Sequence, residues 1–452
     1  MSSAGIGRVL ADWMADNAAP SDLWEVDVER ADPAAASLAH IQTRMQESVH
    51  DLFAMHWPFK QTKAGRNFRK SCLHLHWQNQ GAEFGVTAGW ERGLWYAASS
   101  DERNLPLSVS TQAWQSIAER EANIMDTGTV MLDLTPFSKF DIEGSDALKL
   151  LQLLACSSMD TAVGKCTYTS FLNSKGGIAA DITVTRFAKD HFRLISGAAT
   201  RWRDLAALRR AAAGYSVNLT DVTESEAVIG VMGQGSRELL THVSDDDWQT
   251  FAFATSRQCS IGGKPVRAQR TSFVGELGWE LYISKQFAGS VFDMLTEAGA
   301  KPMGHYALES CRIEKGFRHW GHDIGPDTLL AETGLPVKVD WNKSFNGKQA
   351  LLQTKQSGVD KRLCLLQLDG KPLPLHDEPV HEGQRIVGLT TSGTRGVRTG
   401  LTLAFAYIDT EVGETIQQTA TRQFEVDIAG IRYPAKVLQH PPFDPFGDRM
   451  RS

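Results

Sequence analysis

The sequence predicts an α+β protein in which two lobes of similar make-up precede a small all-β unit. Three observations carry this. Helical and strand patterns alternate from about residue 111 to about 355. Glycine-punctuated hairpins occur in both halves of that span. After about residue 360 only short strands at turn-punctuated intervals remain. In chain order, GRVLADWMADN and SLAHIQTRMQESVHDLF give residues 1–50 a helical spacing of apolar positions. Residues 51–110 are rich in aromatics, with Trp57, Trp77, Trp90 and Trp95, and end in an exposed-looking SSDERNLPLS stretch. QAWQSIAEREANIM is helical, TVMLDLTPFSKFDIEG holds two strands around a turn, and SDALKLLQLLACS is an amphipathic helix capped by Ser145. TYTSFLNSKGGIAADITVTRF is a β-hairpin turning at Gly176-Gly177, and RWRDLAALRRAAA is a further helix. AVIGVMGQGSRELLTHV repeats the strand–turn–helix grammar. VRAQRTSFVGELGWELYI is a second hairpin around Gly275 and Gly278. LCLLQLDG, PVHEGQRIVGLTTSGTRG, LTLAFAYI and TRQFEVDIAGIRYPAKV are the strands of a terminal barrel or sandwich.

Composition narrows the function. The 452 residues are enough for two or three domains, and 42% hydrophobic with 22% charged residues is ordinary for a folded globular chain. With 47 basic against 53 acidic residues the net charge is -6, which argues against a nucleic-acid binder. No apolar run approaches the roughly 18 residues needed to cross a bilayer, and the start lacks a secretory pattern, so a cytoplasmic protein without a membrane partner is expected. Six scattered cysteines without a CxxC pair indicate neither a disulfide framework nor a zinc site.

Few motifs carry chemistry. MGQGSREL has one glycine turn before a helix, which falls short of a phosphate-binding fingerprint. HLHW at 74–77, read as a strand, puts two histidines on one face with no third ligand. HWGHDI at 319–324 groups two histidines and an aspartate under the same restriction. Asp181 opens an otherwise apolar strand just after a glycine turn, where a carboxylate is costly unless paired or functional. The pattern alone leaves a hairpin cap and a chemical role both open. Glu276 and Glu280, four apart, share a face if their strand is regular. A carboxylate held on a strand suits two adjacent N–H donors of an aminopyrimidine, and an exposed strand face accounts for the pair equally well.

Taken together and in this order, TYTSFLNSKGGIAADITVTRF, MGQGSRELL, VGELGWELYI and ALESCRIEKGFRHWGHDI resemble the aminomethyltransferase (glycine-cleavage T-protein) family. The resemblance is nearest to the folate-binding half of sarcosine and dimethylglycine dehydrogenases. GRVLADWM, DLWEVDVER and GAEFGVTAGWERGLWYA resemble the segment before that half, and KVLQHPPFDPFGDRMR resembles its end. The resemblance implies a three-lobed ring with tetrahydrofolate in its central opening: residues 1–105 as a remnant of a flavoprotein linker module, 106–355 as two α+β lobes, and 356–452 as a β-barrel. It makes Asp181 the catalytic carboxylate and Glu280 the pterin anchor. Tyr168, Phe273 and Trp320 become aromatic neighbours of the ring, and Arg312 an arginine facing the folate tail. Phe273 stands where the family usually has tyrosine, and LLAETGL where it has TPLEAGL, which shifts the place of Glu332.

The implied activity is tetrahydrofolate-dependent transfer of a one-carbon unit from an oxidised N-methyl amine such as sarcosine or dimethylglycine. The sequence carries no dinucleotide fingerprint. The chain by itself is therefore expected to hold no FAD, and the aromatic module of its first hundred residues, with an apolar face left uncovered, to dock a separate FAD-binding oxidoreductase. The same fold also accommodates a flavin-free demethylase of a sulfonium, amine or ether, and a non-catalytic scaffold or regulatory relative.

Overall fold

The computed structural model describes residues 3–16, 26 and 28–452. The helical N-terminus resolves into α1 (Ser3–Asp16) and α2 (Leu38–Asp51); DLWEVDVER, at 22–30, lies largely outside the described residues. Then come α3 (His74–Asn79) and the hairpin β1 (Ala82–Thr87) and β2 (Trp90–Tyr96). HLHW is thus a helix, contrary to the strand expected from it. His74 stacks on Phe84 at 4.2 Å instead of pairing with His76 on a strand face.

The next stretch runs α4 (Gln115–Asn123), β3 (Val130–Asp133), β4 (Ser138–Glu143), α5 (Ala147–Leu154), β5 (Cys166–Leu172), β6 (Ile178–Ala188), β7 (His191–Ser196), α6 (Arg201–Ala211) and β8 (Asn218–Asp221). It continues with β9 (Glu226–Met232), α7 (Ser236–His242), β10 (Ser256–Ile261), β11 (Lys264–Gln269), β12 (Gly278–Ser284), α8 (Lys285–Glu297), β13 (Lys301–Pro302) and α9 (His305–Glu314). Short helices α10 (Leu330–Thr333) and α11 (Lys348–Ser357) lead to the last lobe. There β14 (Lys361–Leu368), β15 (Pro379–Glu382), β16 (Arg385–Arg395), β17 (Thr402–Asp409), β18 (Phe424–Ile428) and β19 (Ile431–Leu438) close a barrel.

Strands β4 to β8 form one sheet, in the order β5-β6-β7-β4-β8. The other has the order β10-β11-β12-β9-β3-β13. Both strands expected around the Thr135-Pro136 turn are present, yet β3 and β4 belong to different sheets. Two-residue alternation then sorts each strand. On β6, Ala180, Ile182 and Val184 enter the core under α5 and α6 with Phe140, Leu151 and Leu205. On β12, Trp279, Leu281 and Ile283 enter the core under α8 with Trp248 and Phe292. The residues between them, Asp181 and Thr183 on one strand and Glu280 and Tyr282 on the other, face away from these cores.

The aromatic module is covered only in part, as expected: Phe53, Met55, Trp57 and Leu75 stay exposed. Trp77, Trp90 and Tyr96 are buried, Trp77 within the core that contains Trp279. Further uncovered apolar surface lies on α1 and α2. Helix α1 has no buried residue. Helix α2 holds on to the body by its polar side: Glu47 accepts from the N–H groups of Lys63 and Ala64 at 2.7 Å, and Arg44 donates to Ala64. Its apolar side, Leu38, Ile41, Met45, Val49 and Leu52, is exposed.

Candidate functional site

Asp181 sits on β6 opposite Ser170 on β5, with Tyr168 and Thr183 forming the next pair on the same face. The carboxyl Oδ1 is buried and has no hydrogen-bond partner among the described residues. Burial pushes the carboxyl up to about 7, with a hydrogen bond from the Tyr168 hydroxyl pulling the other way. Burial, and then the carboxylate itself, hold the Tyr168 phenol well above its ordinary range, so it stays a donor.

The strand entering this site is held by a close backbone approach. Ile178 N–H reaches the carbonyls of Gly325 and Thr328 at 3.1 Å. A methyl group at Gly177 would lie 1.8 Å from the Pro326 carbonyl oxygen, so only glycine fits that turn. Trp320 fixes the same corner: its Nε1 donates to the Ile178 carbonyl at 2.9 Å and the Arg203 guanidinium lies 4.1 Å over its ring.

The second sheet supplies Glu280, which accepts from the Tyr282 hydroxyl at 2.7 Å. Burial raises its carboxyl above the ordinary range. Glu280 pairs across the strands with Gln269, and Gln269 Oε1 accepts from Thr185 Oγ1 of β6 at 2.8 Å. That bond ties the two sheets together, four residues along β6 from Asp181, a strand length of roughly 13 Å. Asp181 and Glu280 both keep some accessible surface, while burial is the main cause of the upward shift of each carboxyl. The barrel closes around the same region, with Arg318 over Phe405 at 5.6 Å and its Nε buried without a partner.

The residues expected from sequence are not equivalent. Asp181, Tyr168 and Glu280 come to this region, with Trp320 at its corner. Phe273 stacks on Phe317 at a centroid distance of 6.0 Å in the loop before β12. Arg312 is a correction. Its side chain is fully buried, donating to Glu309, to Asp323 and to the Phe317 carbonyl, with Asp323 in turn bonded by Thr391 and Ser392 of the barrel. It pins α9 to the barrel instead of facing an open cavity. Glu276 is a second correction: β12 begins only at Gly278, so Glu276 shares no strand face with Glu280. It is fully buried and receives Arg449 Nε at 2.8 Å and Gln234 Nε2 at 2.8 Å. In HWGHDI, His319 and His322 touch at 4.7 Å while Asp323 is committed to Arg312. Tyr282 and Arg318 were missed. Tyr282 follows Glu280 by the strand period of two and was legible on that ground. Arg318 follows a helix end whose path no local signal gives.

Two sheets joined by the Thr185–Gln269 bond, each with a carboxylate on the face away from its core, and a closed barrel after them define a class. Residues 73–343 match the GCVT N-terminal domain, 361–444 the glycine cleavage T-protein C-terminal barrel domain, and 18–71 the FAD dependent oxidoreductase central domain. The chain belongs to the glycine-cleavage T-protein family. It is 38% identical to 4-methylaminobutanoate oxidase (formaldehyde-forming) of Paenarthrobacter nicotinovorans over 99% of this chain and 55% of that protein. It is 32% identical to mitochondrial dimethylglycine dehydrogenase of Rattus norvegicus over 97% of this chain and 52% of that one. The chain therefore spans about half the length of these curated relatives. Its fold matches the glycine cleavage system aminomethyltransferase T of Bartonella henselae, with a TM-score of 0.72 at 20% identity over 83% of this chain and 98% of that one. No described helix is long and apolar enough to cross a membrane.

Proposed function

We propose that this chain is a tetrahydrofolate-dependent one-carbon transferase acting on oxidised N-methyl amines such as sarcosine or dimethylglycine. The observation that carries it is the unpartnered Oδ1 of Asp181 on one sheet, with Glu280 on the sheet bonded to it. Both are acceptor groups, and the pairing fits a folate, whose pterin edge offers adjacent N–H donors. Tetrahydrofolate, when bound, supplies the nitrogen nucleophile that accepts the carbon. Glu280, steadied by Tyr282, orients the donor edge. Asp181 takes a proton at Oδ1, and with its carboxyl near 7 it exchanges that proton readily at neutral pH. Tyr168 holds the carboxylate by a hydrogen bond, and the surrounding sheets and barrel keep water from a labile carbon adduct.

We assign the flavin chemistry to a separate FAD-binding oxidoreductase, which supplies the oxidised amine. The outward apolar stripe of α2 supports a docking surface there, since contiguous exposed apolar patches mark interaction sites. Titrating the purified chain with tetrahydrofolate tests the reading. Micromolar or tighter binding that weakens in Glu280→Gln upholds it, and a chain that binds no folate refutes it.

A further inference from the structure

We propose that the strap of residues 440–452 positions the loop that leads into Glu280, and that Arg449 is the positioning residue. Resting on the tetrahydrofolate reading above, this gives a role to a segment outside both sheets and the barrel strands. After β19 the chain runs to a last helical turn, Asp448–Arg451. Within the strap only Gly447 and Met450 are buried. Charged clasps hold it. Lys315 Nζ, just past the end of α9, donates to Asp444 Oδ2 at 2.7 Å. Arg449 Nε reaches both oxygens of Glu276, at 2.8 and 3.0 Å, and its Nη2 reaches Asp126 at 3.1 Å. Arg237 and Arg270 both donate to the Ser452 carbonyl oxygen.

The first two clasps bracket one loop. Residues 271–277 carry Phe273 and run directly into β12, on which Glu280 stands. The Ser272 hydroxyl accepts from the N–H groups of Gly275 and Glu276 at 3.1 Å, and Gly275 turns the chain at φ +77. The Lys315 stem packs on that turn: a methyl group at Gly275 would lie 2.7 Å from its Cγ. The Glu276 side chain is 0% exposed, so its charge is costly without a cation in contact. Gln234 gives it a neutral donor at 2.8 Å. Arg398 lies at 3.5 Å, with its hydrogen bonds directed to Glu314 and the Cys311 carbonyl. Among the described residues, Arg449 is the cation that hydrogen-bonds Glu276. It comes from the solvent side, its own side chain 34% exposed.

The loop is therefore fixed from outside, by a segment with little buried surface of its own. Releasing Arg449 leaves Glu276 to seek water. The Gly275 turn and the start of β12 follow it, carrying Phe273 and Glu280 away from the geometry a pterin edge requires. Asp181 stands on the other sheet and keeps its surroundings. The strap accordingly governs how tightly folate is held and leaves the proton-transfer step alone.

Hydrogen exchange over residues 271–277 and calorimetric titration with tetrahydrofolate, both on the full chain, test this. Arg449→Met is expected to speed exchange there roughly 10-fold or more. It should weaken tetrahydrofolate binding roughly 10-fold, the scale of a charge-assisted hydrogen bond. Its KM for tetrahydrofolate should rise while kcat stays near wild type. Arg449→Lys, which keeps the charge, should recover part of both losses, and its two readouts decide the matter if Arg449→Met does not fold. Arg451→Met, on the same turn but with its hydrogen bond to the Phe446 carbonyl, should match wild type. Wild-type exchange and affinity in Arg449→Met would overturn the proposal. So would a lower Tm with affinity unchanged, the mark of a merely structural clasp. Faster exchange in Arg449→Met, together with a wild type that binds no folate, would uphold the positioning of the loop and sink the folate reading.

Discussion

Asp181→Asn separates a catalytic carboxylate from a structural one, because the two roles give opposite signs in stability. The carboxyl ordinarily ionises at 3.8 and here at about 7. Between those values the folded protein binds a proton that the unfolded chain has released. Wild-type stability therefore falls as pH rises from about 4 to 7 and levels off above. At 1.36 kcal/mol per pH unit the full effect is a ceiling of ~4 kcal/mol, and partial solvent access reduces it to about 1–2 kcal/mol. Asparagine keeps the shape and carries no charge to bury, so the variant should be the more stable protein at pH 8 and nearly equal to wild type at pH 4. Urea unfolding across that range measures the difference. In the same protein one-carbon transfer should drop roughly 10²-fold or more, and the wild-type rate should rise with pH through about 7, where the base form appears. A variant that is less stable at pH 8 than wild type would refute the reasoning, as would one that transfers carbon at the wild-type rate.

Glu280→Gln replaces an acceptor by a donor facing donors, so tetrahydrofolate affinity should fall by about 1.5–3 kcal/mol in calorimetry. Arg312→Met leaves Asp323 and Glu309 without their cation in the interior. A loss of about 3–5 kcal/mol in urea unfolding is expected, with no specific effect on folate affinity per folded molecule. Gly177→Ala drives a methyl into the Pro326 carbonyl, so the hairpin that carries Asp181 must shift. Stability should fall by about 1–3 kcal/mol in denaturant titration, accompanied by loss of transfer. Met45→Glu on the outward stripe of α2 should leave the melting temperature unchanged while abolishing co-elution with an FAD-binding oxidoreductase.

Much of this fold is legible in the sequence because its signals are local. The glycine hairpin before Asp181, the hairpin from Val266 to Ile283 and the terminal barrel strands all rest on turn residues and two-residue alternation, and each formed where expected. What was not legible depends on distant partners. The destination of Arg312 depends on Asp323, held in turn by barrel residues about seventy positions further on. Glu276 is claimed by Arg449, 173 residues away. Spacing said that Glu276 and Glu280 share a face, but Gly275, with φ +77, turns the chain before the strand begins. His74 fell on the wrong side of a helix–strand ambiguity inherent in so short a segment.

The division of β3 and β4 between two sheets bears on how the chain comes to be folded. Strand β3 pairs with β9, Leu132 opposite Gly230, and everything between them builds the other sheet. One lobe is thus an insertion in the middle of the other. The outer lobe cannot complete its sheet during synthesis until the inner one has been made and has brought its two ends together. Such non-local pairing is entropically slow to form. Neither lobe is a removable cassette: cutting the chain near residue 135 would strand β3 from its partner. The two walls that carry Asp181 and Glu280 should therefore be gained and lost in one cooperative step.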